Sequence, residues 1–317
     1  MVAQAFDYRA ADELAEALDV LAEHGDNVKV LAGGQSLVPM MHLRLARPGI
    51  LLDINRLPRL DEAVAAEGEL RLGALVRHRR LERPVVADPL GRLLAAAARH
   101  VGHLPIRTRG TFAGSLAHAD PAAEWCLVAV AVGARLVLSS ASGERVVAAD
   151  DFFDYPFVTA LRPDELITQV RLPLLGAGTG VAFREHAPTA GAFAQVAACA
   201  AVTVERDPRA RGGGTIGAAR LALAGVAGRP HALPEAAGVL AGLAPSGAAP
   251  DEAVDEALDE ALDEALDEVR RRVLAAVDPA PDPLLSADYR RALAAELAVS
   301  ALAAAIDDAL ARKAPRG

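Results

Sequence analysis

Aromatic residues are scarce in this chain of 317 residues: one Trp, three Tyr and seven Phe, 3% in all. Ala, Leu and Val must therefore fill most of the core, and Ala is small, so the helices and sheets have to approach one another closely. Cysteine is scarcer still. Cys126 and Cys199 both sit in apolar runs (125–132 and 196–202) and read as buried small hydrophobes. They fall short of the ligand set of an ordinary iron–sulfur cluster, so any such cluster belongs to another chain. Positive charge is also lacking, with 33 Lys and Arg against 42 Asp and Glu, a net charge of −9. That argues against a general nucleic-acid or anionic-membrane binder, which carries a basic footprint. No basic stretch followed by an apolar one opens the chain, and no apolar run reaches membrane-spanning length. A cytoplasmic protein is expected.

The chain does have apolar bulk, 52% hydrophobic against 24% charged residues, enough for two domains. Helical periodicity covers Ala11–His24 and ends at Gly25-Asp26-Asn27. Val28–Ala32 reads as a strand running into Gly33-Gly34, and Ile50–Ile54 as a second. Ala63–Ala66 and Leu70–Leu75 flank Glu67-Gly68-Glu69 as a hairpin. Leu90–His100 is helical, Gly102–Ser115 a glycine-punctuated loop, and Pro121–Val132 an apolar helix. A second hairpin is expected over Arg135–Ser139 and Glu144–Ala148, then a strand at Leu166–Leu172. Leu175–Gly180 has boundary composition. Beyond it come strands at Phe193–Val204 and Ala218–Val226, joined by a turn at Gly212–Gly214. Three DEAL repeats and a closing DE over 255–268 then form an acidic helix ending at Arg270, Arg271 and Arg272, a favourable arrangement for the helix dipole. Its plainest role is a solvated surface helix; an acidic docking surface is the alternative. Pro279, Pro281 and Pro283 make a stiff connector, and Asp288–Leu310 is a last Ala-rich helix. Strands with interposed helices, then a sheet with helices, imply two α+β domains.

Two segments carry chemistry. In Ala32-Gly33-Gly34-Gln35-Ser36 the paired glycines permit positive φ and close backbone approach, successive N–H groups can form an anion-binding nest, and Ser36 adds a hydroxyl. This suits a pyrophosphate, but it is neither GxGxxG nor a Walker loop. Taken alone it is equally an ordinary tight turn. The second segment, Thr111-Phe112-Ala113-Gly114-Ser115, repeats small residues between hydroxyls and runs into Asp120-Pro121-Ala122-Ala123-Glu124. One carboxylate there suits the hydroxyls of a ribose; the competing role for Asp120 is to cap the following helix. His100, His103 and His118 form no fixed ligand set, so no metal is expected, and His42 and His78 read as surface or loop residues. Ser115, His118 and Asp120 lie too close in sequence for a catalytic triad, with no nucleophile elbow around Ser115.

The stretch AGGQSLVPMMHLRLARPGILLDIN, followed some fifty residues on by IRTRGTFAGSLAHADPAAE, resembles the FAD-binding subunits of the molybdenum hydroxylases, a family that includes the medium subunit of aerobic carbon monoxide dehydrogenase and the flavin domain of xanthine dehydrogenase. Phe183–Val202, Ala219–Val226 and Asp288-Tyr289-Arg290-Arg291 extend the resemblance to nearly the whole chain apart from the acidic repeat. It implies an FAD-binding domain of the PCMH type over residues 1–175, with subdomains at about 1–57 and 58–175. A C-terminal flavoprotein domain over 180–312 would carry the acidic repeat as an insert at 251–269. It further implies that Ala32, Gly33, Gly34, Gln35, Ser36 and Leu37, with Thr111, Ala113, Gly114 and Ser115, hold the FAD pyrophosphate. Asp120 and Glu124 would lie toward the cofactor's sugar, Val101, Leu172 and Arg184 would line it, and Phe193 would stand near the flavin ring. Electrons would reach FAD from a small 2Fe–2S subunit, after substrate oxidation in a large molybdopterin-binding subunit, and leave to an external acceptor, in a dimer of heterotrimers. No catalytic acid or base is expected on this chain. A stand-alone flavin oxidase and an assembly subunit that has lost FAD are the alternatives. The family's second segment is usually Thr-Ile-Gly-Gly-Asn, and an acidic residue is common where Ala192 stands; each departure weakens binding by up to one hydrogen bond, about 0.5–1.5 kcal/mol.

Overall fold

The computed structural model describes residues 3–205, 214–245, 252–280 and 285–311. It opens with a three-stranded parallel sheet in which β3 (Ile50–Asp53) is central, flanked by β1 (Asp7–Ala10) and β2 (Val28–Leu31). Helix α1 (Leu14–His24) makes the crossover, burying Ala17, Leu18 and Leu21, and stops at Gly25, whose φ of 48° suits glycine. Strand β1 carries no apolar alternation and is largely exposed, so its sequence did not announce it. A short helix, α2 (Leu37–His42), follows the first glycine segment.

Next comes a five-stranded antiparallel sheet of order β4-β5-β10-β6-β7, built from β4 (Ala63–Ala66), β5 (Glu69–Gly73), β6 (Arg135–Ser140), β7 (Gly143–Ala148) and β10 (Leu166–Pro173). The first hairpin turns on Glu67 and Gly68, both at positive φ, the conformation a two-residue hairpin loop demands. Four helices pass between β5 and β6: α3 (Pro89–Ala98), α4 (Leu104–Arg109), α5 (Phe112–His118) and α6 (Glu124–Val132). The expected loop over Gly102–Ser115 is thus two short helices, because its small and hydroxyl residues serve as starts: Pro105 lies in the first turn of α4 and Thr111 caps α5. Helix α6 begins three residues later than expected, with Pro121 in the preceding turn. After β7 come a single turn, α7 (Ala149–Phe152), and a small hairpin, β8 (Phe153–Tyr155) with β9 (Val158–Thr159).

The last sheet has the order β11-β12-β13-β14, from β11 (Thr179–His186), β12 (Val196–Glu205), β13 (Thr215–Ala224) and β14 (His231–Ala232). Strand β11 begins inside the stretch expected to be a boundary. Strand β12 starts at Val196, so Phe193 precedes it, and the expected turn at 212–214 lies outside the described residues except for Gly214. The sheet is covered on both faces, hence the nearly continuous apolar run of β12. Ala197 and Cys199 face the first core, with α3 and α6; Val196, Ala198, Ala200 and Val202 face a second core. That second core is closed by α8 (Pro234–Ala237), α9 (Glu252–Ala276) and α10 (Ala287–Leu310). Alanine lets the layers close up: Ala294, Ala298, Ala301 and Ala305 are fully buried on α10, and a methyl on Gly180 would lie 1.9 Å from the Ala305 carbonyl oxygen. The DEAL repeats are helical, with Leu266, and Val269 and Val273 just beyond the repeats, buried, and Asp259, Glu260, Asp263, Glu264 and Asp267 exposed.

Candidate cofactor site

The two glycine segments, nearly eighty residues apart in sequence, meet. A methyl on Gly33 would lie 2.4 Å from the Arg109 carbonyl oxygen and 2.6 Å from the Gly110 Cα. Gly34 has φ of 72°, the left-handed region. Between β2 and α2 the chain presents the N–H groups of Gly33, Gly34, Gln35, Ser36 and Leu37 in succession. Among the described residues none of these five donates to a protein acceptor, and the Ser36 hydroxyl makes no capping bond. A row of unspent donors entering a helix is an anion-binding arrangement.

The second segment contributes less backbone than expected. Thr111 caps α5 by accepting from the Gly114 N–H at 3.0 Å, and the Ser115 N–H donates to the Thr111 carbonyl at 3.1 Å. That leaves the Ala113 N–H and the Ser115 hydroxyl. The Ala113 side chain is 3% exposed and belongs to the first core, so its methyl points away from the donors and does not obstruct close approach. Beside it Phe112 is fully buried against Trp125, ring centroids 5.0 Å apart.

Residues not singled out in the sequence hold this junction. Asn55 Nδ2 donates to the Ala32 carbonyl at 2.8 Å, Arg77 Nη2 donates to Asn55 Oδ1 at 2.6 Å, and Arg77 Nη1 donates to the Arg109 carbonyl. The backbone of Arg77 bridges Thr111 in antiparallel fashion. His78, expected at the surface, is 5% exposed and accepts from Trp125 Nε1 at 2.9 Å. Burial, with Arg77 and Arg107 nearby, pushes its pKa down to about 3, so the ring is neutral and free to accept.

A half-buried acidic group lies where the first domain meets the last sheet. His100 Nδ1 stands 3.5 Å from Glu185 Oε1; the Glu185 side chain is 4% exposed and its Oε2 has no partner. The hydrogen bond that His100 donates to Glu185 holds its pKa above the ordinary value. Glu124, at the start of α6, is raised to about 7, first by burial and then by Glu185 and Asp120, with His100 opposing. Asp120 accepts from the Ala122 N–H at 2.9 Å, closing the turn before α6 rather than capping the helix itself. Its other face lines a cleft of about 440 Å³ shared with Ala192, Phe193, Gln195 and Arg290. Phe193 is 74% exposed there.

The remaining expected residues sit further back. Val101 is 7% exposed and Leu172 fully buried, paired with Leu70 across β5 and β10. Arg184 is on the far face of β11 from Glu185 and donates to Ser300 Oγ on α10 at 3.3 Å, so the structure does not bring it to the glycine segments. Among the described residues no group of three or more His, Cys, Asp or Glu is placed to hold a metal ion, and no helix is long and apolar enough to cross a membrane.

The family model described as "FAD binding domain in molybdopterin dehydrogenase" matches residues 4–175, and "CO dehydrogenase flavoprotein C-terminal domain" matches 181–263. The chain belongs to this family of FAD-binding subunits. Among curated relatives, the caffeine dehydrogenase subunit beta of Pseudomonas sp. (strain CBB1) is 39% identical over 235 residues, 73% of this chain and 77% of its own length. A carbon monoxide dehydrogenase from Hydrogenophaga pseudoflava, solved without the Mo-pyranopterin moiety of its cofactor, has a chain that superposes with TM-score 0.84 at 32% identity, covering 97% of this chain and 99% of that one. Quinoline 2-oxidoreductase from Pseudomonas putida 86 gives TM-score 0.84 at 30% identity, covering 98% and 100%. The flavoprotein subunit is thus an oxidoreductase component whose cofactor is FAD, of the medium-chain type found in multi-subunit molybdenum enzymes. Its donor set fits that cofactor: a glycine cradle that a methyl would fill, a row of unspent N–H groups and two hydroxyls.

Proposed function

We propose that the flavoprotein subunit is an electron relay. FAD supplies the redox chemistry when bound, accepting electrons from a 2Fe–2S subunit and releasing them to an external acceptor. Substrate oxidation belongs to a large molybdopterin-binding subunit, and the three chains assemble as a dimer of heterotrimers in the cytoplasm. What this chain supplies is binding and orientation. The N–H groups of Gly33 to Leu37, with Ala113, Ser36 and Ser115, hold the diphosphate. Glu124, with Asp120 nearby, accepts from the adenosine ribose, and Phe193 in its cleft borders the flavin ring. The domain division at about residues 175–180, with 180–312 closing one side of the site and the DEAL helix as a surface insert, completes this reading.

The observation that carries it is the contact of Gly33 with Arg109 and Gly110, which sets five unspent N–H groups beside the start of α5. The test is to purify the full chain, alone and co-expressed with its partner subunits, and record visible spectra. A yellow protein that retains stoichiometric FAD is expected, as is a complex whose flavin is reduced by the substrate of the molybdenum subunit. A colourless chain that takes up no added FAD would sink the reading.

A further inference from the structure

We infer that Arg77 and Asn55 form a strut that sets the spacing of the two diphosphate-binding segments, which makes Arg77 a positioning residue for FAD; this rests on the function proposed above. The bonds close a ring. Asn55 holds the Ala32 carbonyl from one side (2.8 Å) and accepts Arg77 Nη2 from the other (2.6 Å). The second Arg77 Nη reaches the Arg109 carbonyl, and that same oxygen abuts Gly33. The Asn55 amide is itself fixed, since Asp53 Oδ1 accepts from both its backbone N–H (2.8 Å) and its Nδ2 (2.6 Å).

Backbone pairing completes the arrangement. The Phe112 N–H donates to the Val76 carbonyl and the His78 N–H to the Gly110 carbonyl, each at 3.0 Å. The main-chain groups on either side of Arg77 therefore grip the second segment, and the Arg77 side chain holds the first through Asn55. Both segments must stand at one separation to meet the two ends of a diphosphate, and donors fixed beforehand spare the ordering cost of binding. The guanidinium is half-buried immediately behind both donor rows, where its charge is screened less than at the open surface and favours an anion in front of it. A planar fork with two separate acceptors is something Lys cannot reproduce.

The test uses the full chain, stripped of flavin and titrated with FAD at several ionic strengths. Arg77→Ala and Asn55→Ala are each expected to weaken FAD binding about ten- to hundredfold, the worth of losing a bond to a charged group. The double variant should be no weaker than the worse single one, because both changes break the same ring. Arg77→Ala should also flatten the salt dependence of binding; Arg77→Lys, which keeps the charge and the backbone pairing, should restore that slope while binding more weakly than the native chain. A merely structural role would lower the melting temperature without moving the slope. Native FAD affinity in Arg77→Ala, or in Arg77→Lys should the alanine variant fail to fold, overturns the strut and leaves the flavin reading standing, as do strictly additive losses. A native chain that takes up no FAD overturns both.

Discussion

Gly33 and Arg109 touch: there is no room for a methyl between the Gly33 Cα and the Arg109 carbonyl, where it would lie 2.4 Å from the oxygen. The obstacle is backbone, held in place by Arg77, and cannot swing aside as a side chain would. Gly33→Ala is therefore expected to push the two segments apart, destabilising the chain by about 1–3 kcal/mol, the usual cost of overpacking, and weakening FAD by at least about tenfold. Thermal melts and FAD titration of the variant check both effects. Gly68→Ala is the control, with nothing within 4 Å of the added methyl; it should bear only the local cost of its positive φ and leave FAD affinity at the native value.

Trp125 is the sole tryptophan, and its indole N–H donates to a neutral, buried His78. Trp125→Phe removes the donor and leaves His78 Nδ1 without one. It should cost about 1–3 kcal/mol in denaturant unfolding followed by circular dichroism. Because Gly110 rests on the same histidine, a methyl there lying 2.4 Å from Nε2, the loss should be accompanied by weaker FAD binding. An unchanged unfolding midpoint would show that the bond contributes nothing net.

The hairpins, the apolar helices and the two glycine segments were legible because each rests on local chemistry: Glu67-Gly68 in a tight turn, unbroken apolar residues in α6, Gly34 at positive φ. What was not legible depends on partners far along the chain. Strand β1 carries an exposed polar sequence and exists because β3 offers it a parallel edge. The start of strand β11 looked like boundary sequence because of its glycines, of which Gly180 makes room for Ala305 of α10, more than a hundred residues later. The bonds of Arg77 to Asn55 and Arg109, 22 and 32 residues away, follow no motif spacing. His78 looked like a surface residue because its burial comes from Trp125. Ala113 stands where the family usually has Gly, and the sequence does not say which way its methyl points.

Cys126 and Cys199 are both fully buried, and burial raises their thiol pKa, Cys199 to about 12 and Cys126 well above its ordinary value. Since the thiolate is the reactive form, neither should react with a disulfide reagent at neutral pH in the folded chain, and both should react after denaturation. Rapid labelling of the native protein would show that the sheet around β12 opens readily.

Glu124 gives the site a pH dependence of its own. Its carboxyl, raised by burial from 4.5 to about 7, faces Glu185 from β11, Asp120 from the turn before α6 and His100 from just past α3. In the absence of FAD, the folded chain holds a proton that the unfolded chain has released between pH 4.5 and 7, so this group's contribution to stability falls as pH rises through that window and is flat above it. His100, raised by Glu185, acts in the same direction: its contribution is present below its unfolded pKa and lost as pH rises through the folded one. Ligand binding should run the other way. A ribose diol donates best to an ionised carboxylate, so FAD should displace the proton and bind more tightly as pH rises, by about tenfold between pH 6 and 8, levelling off above 7. Glu124→Gln should flatten the dependence of FAD binding and leave only the His100 part of the stability dependence, stabilising the flavin-free chain by about 1–2 kcal/mol at pH 8 and binding FAD with the low-pH affinity throughout. Titrations at pH 6, 7 and 8 decide the matter. A native affinity that does not change with pH, or that still changes in Glu124→Gln, would remove Glu124 from the ribose and leave its proton a matter of packing against Glu185 alone.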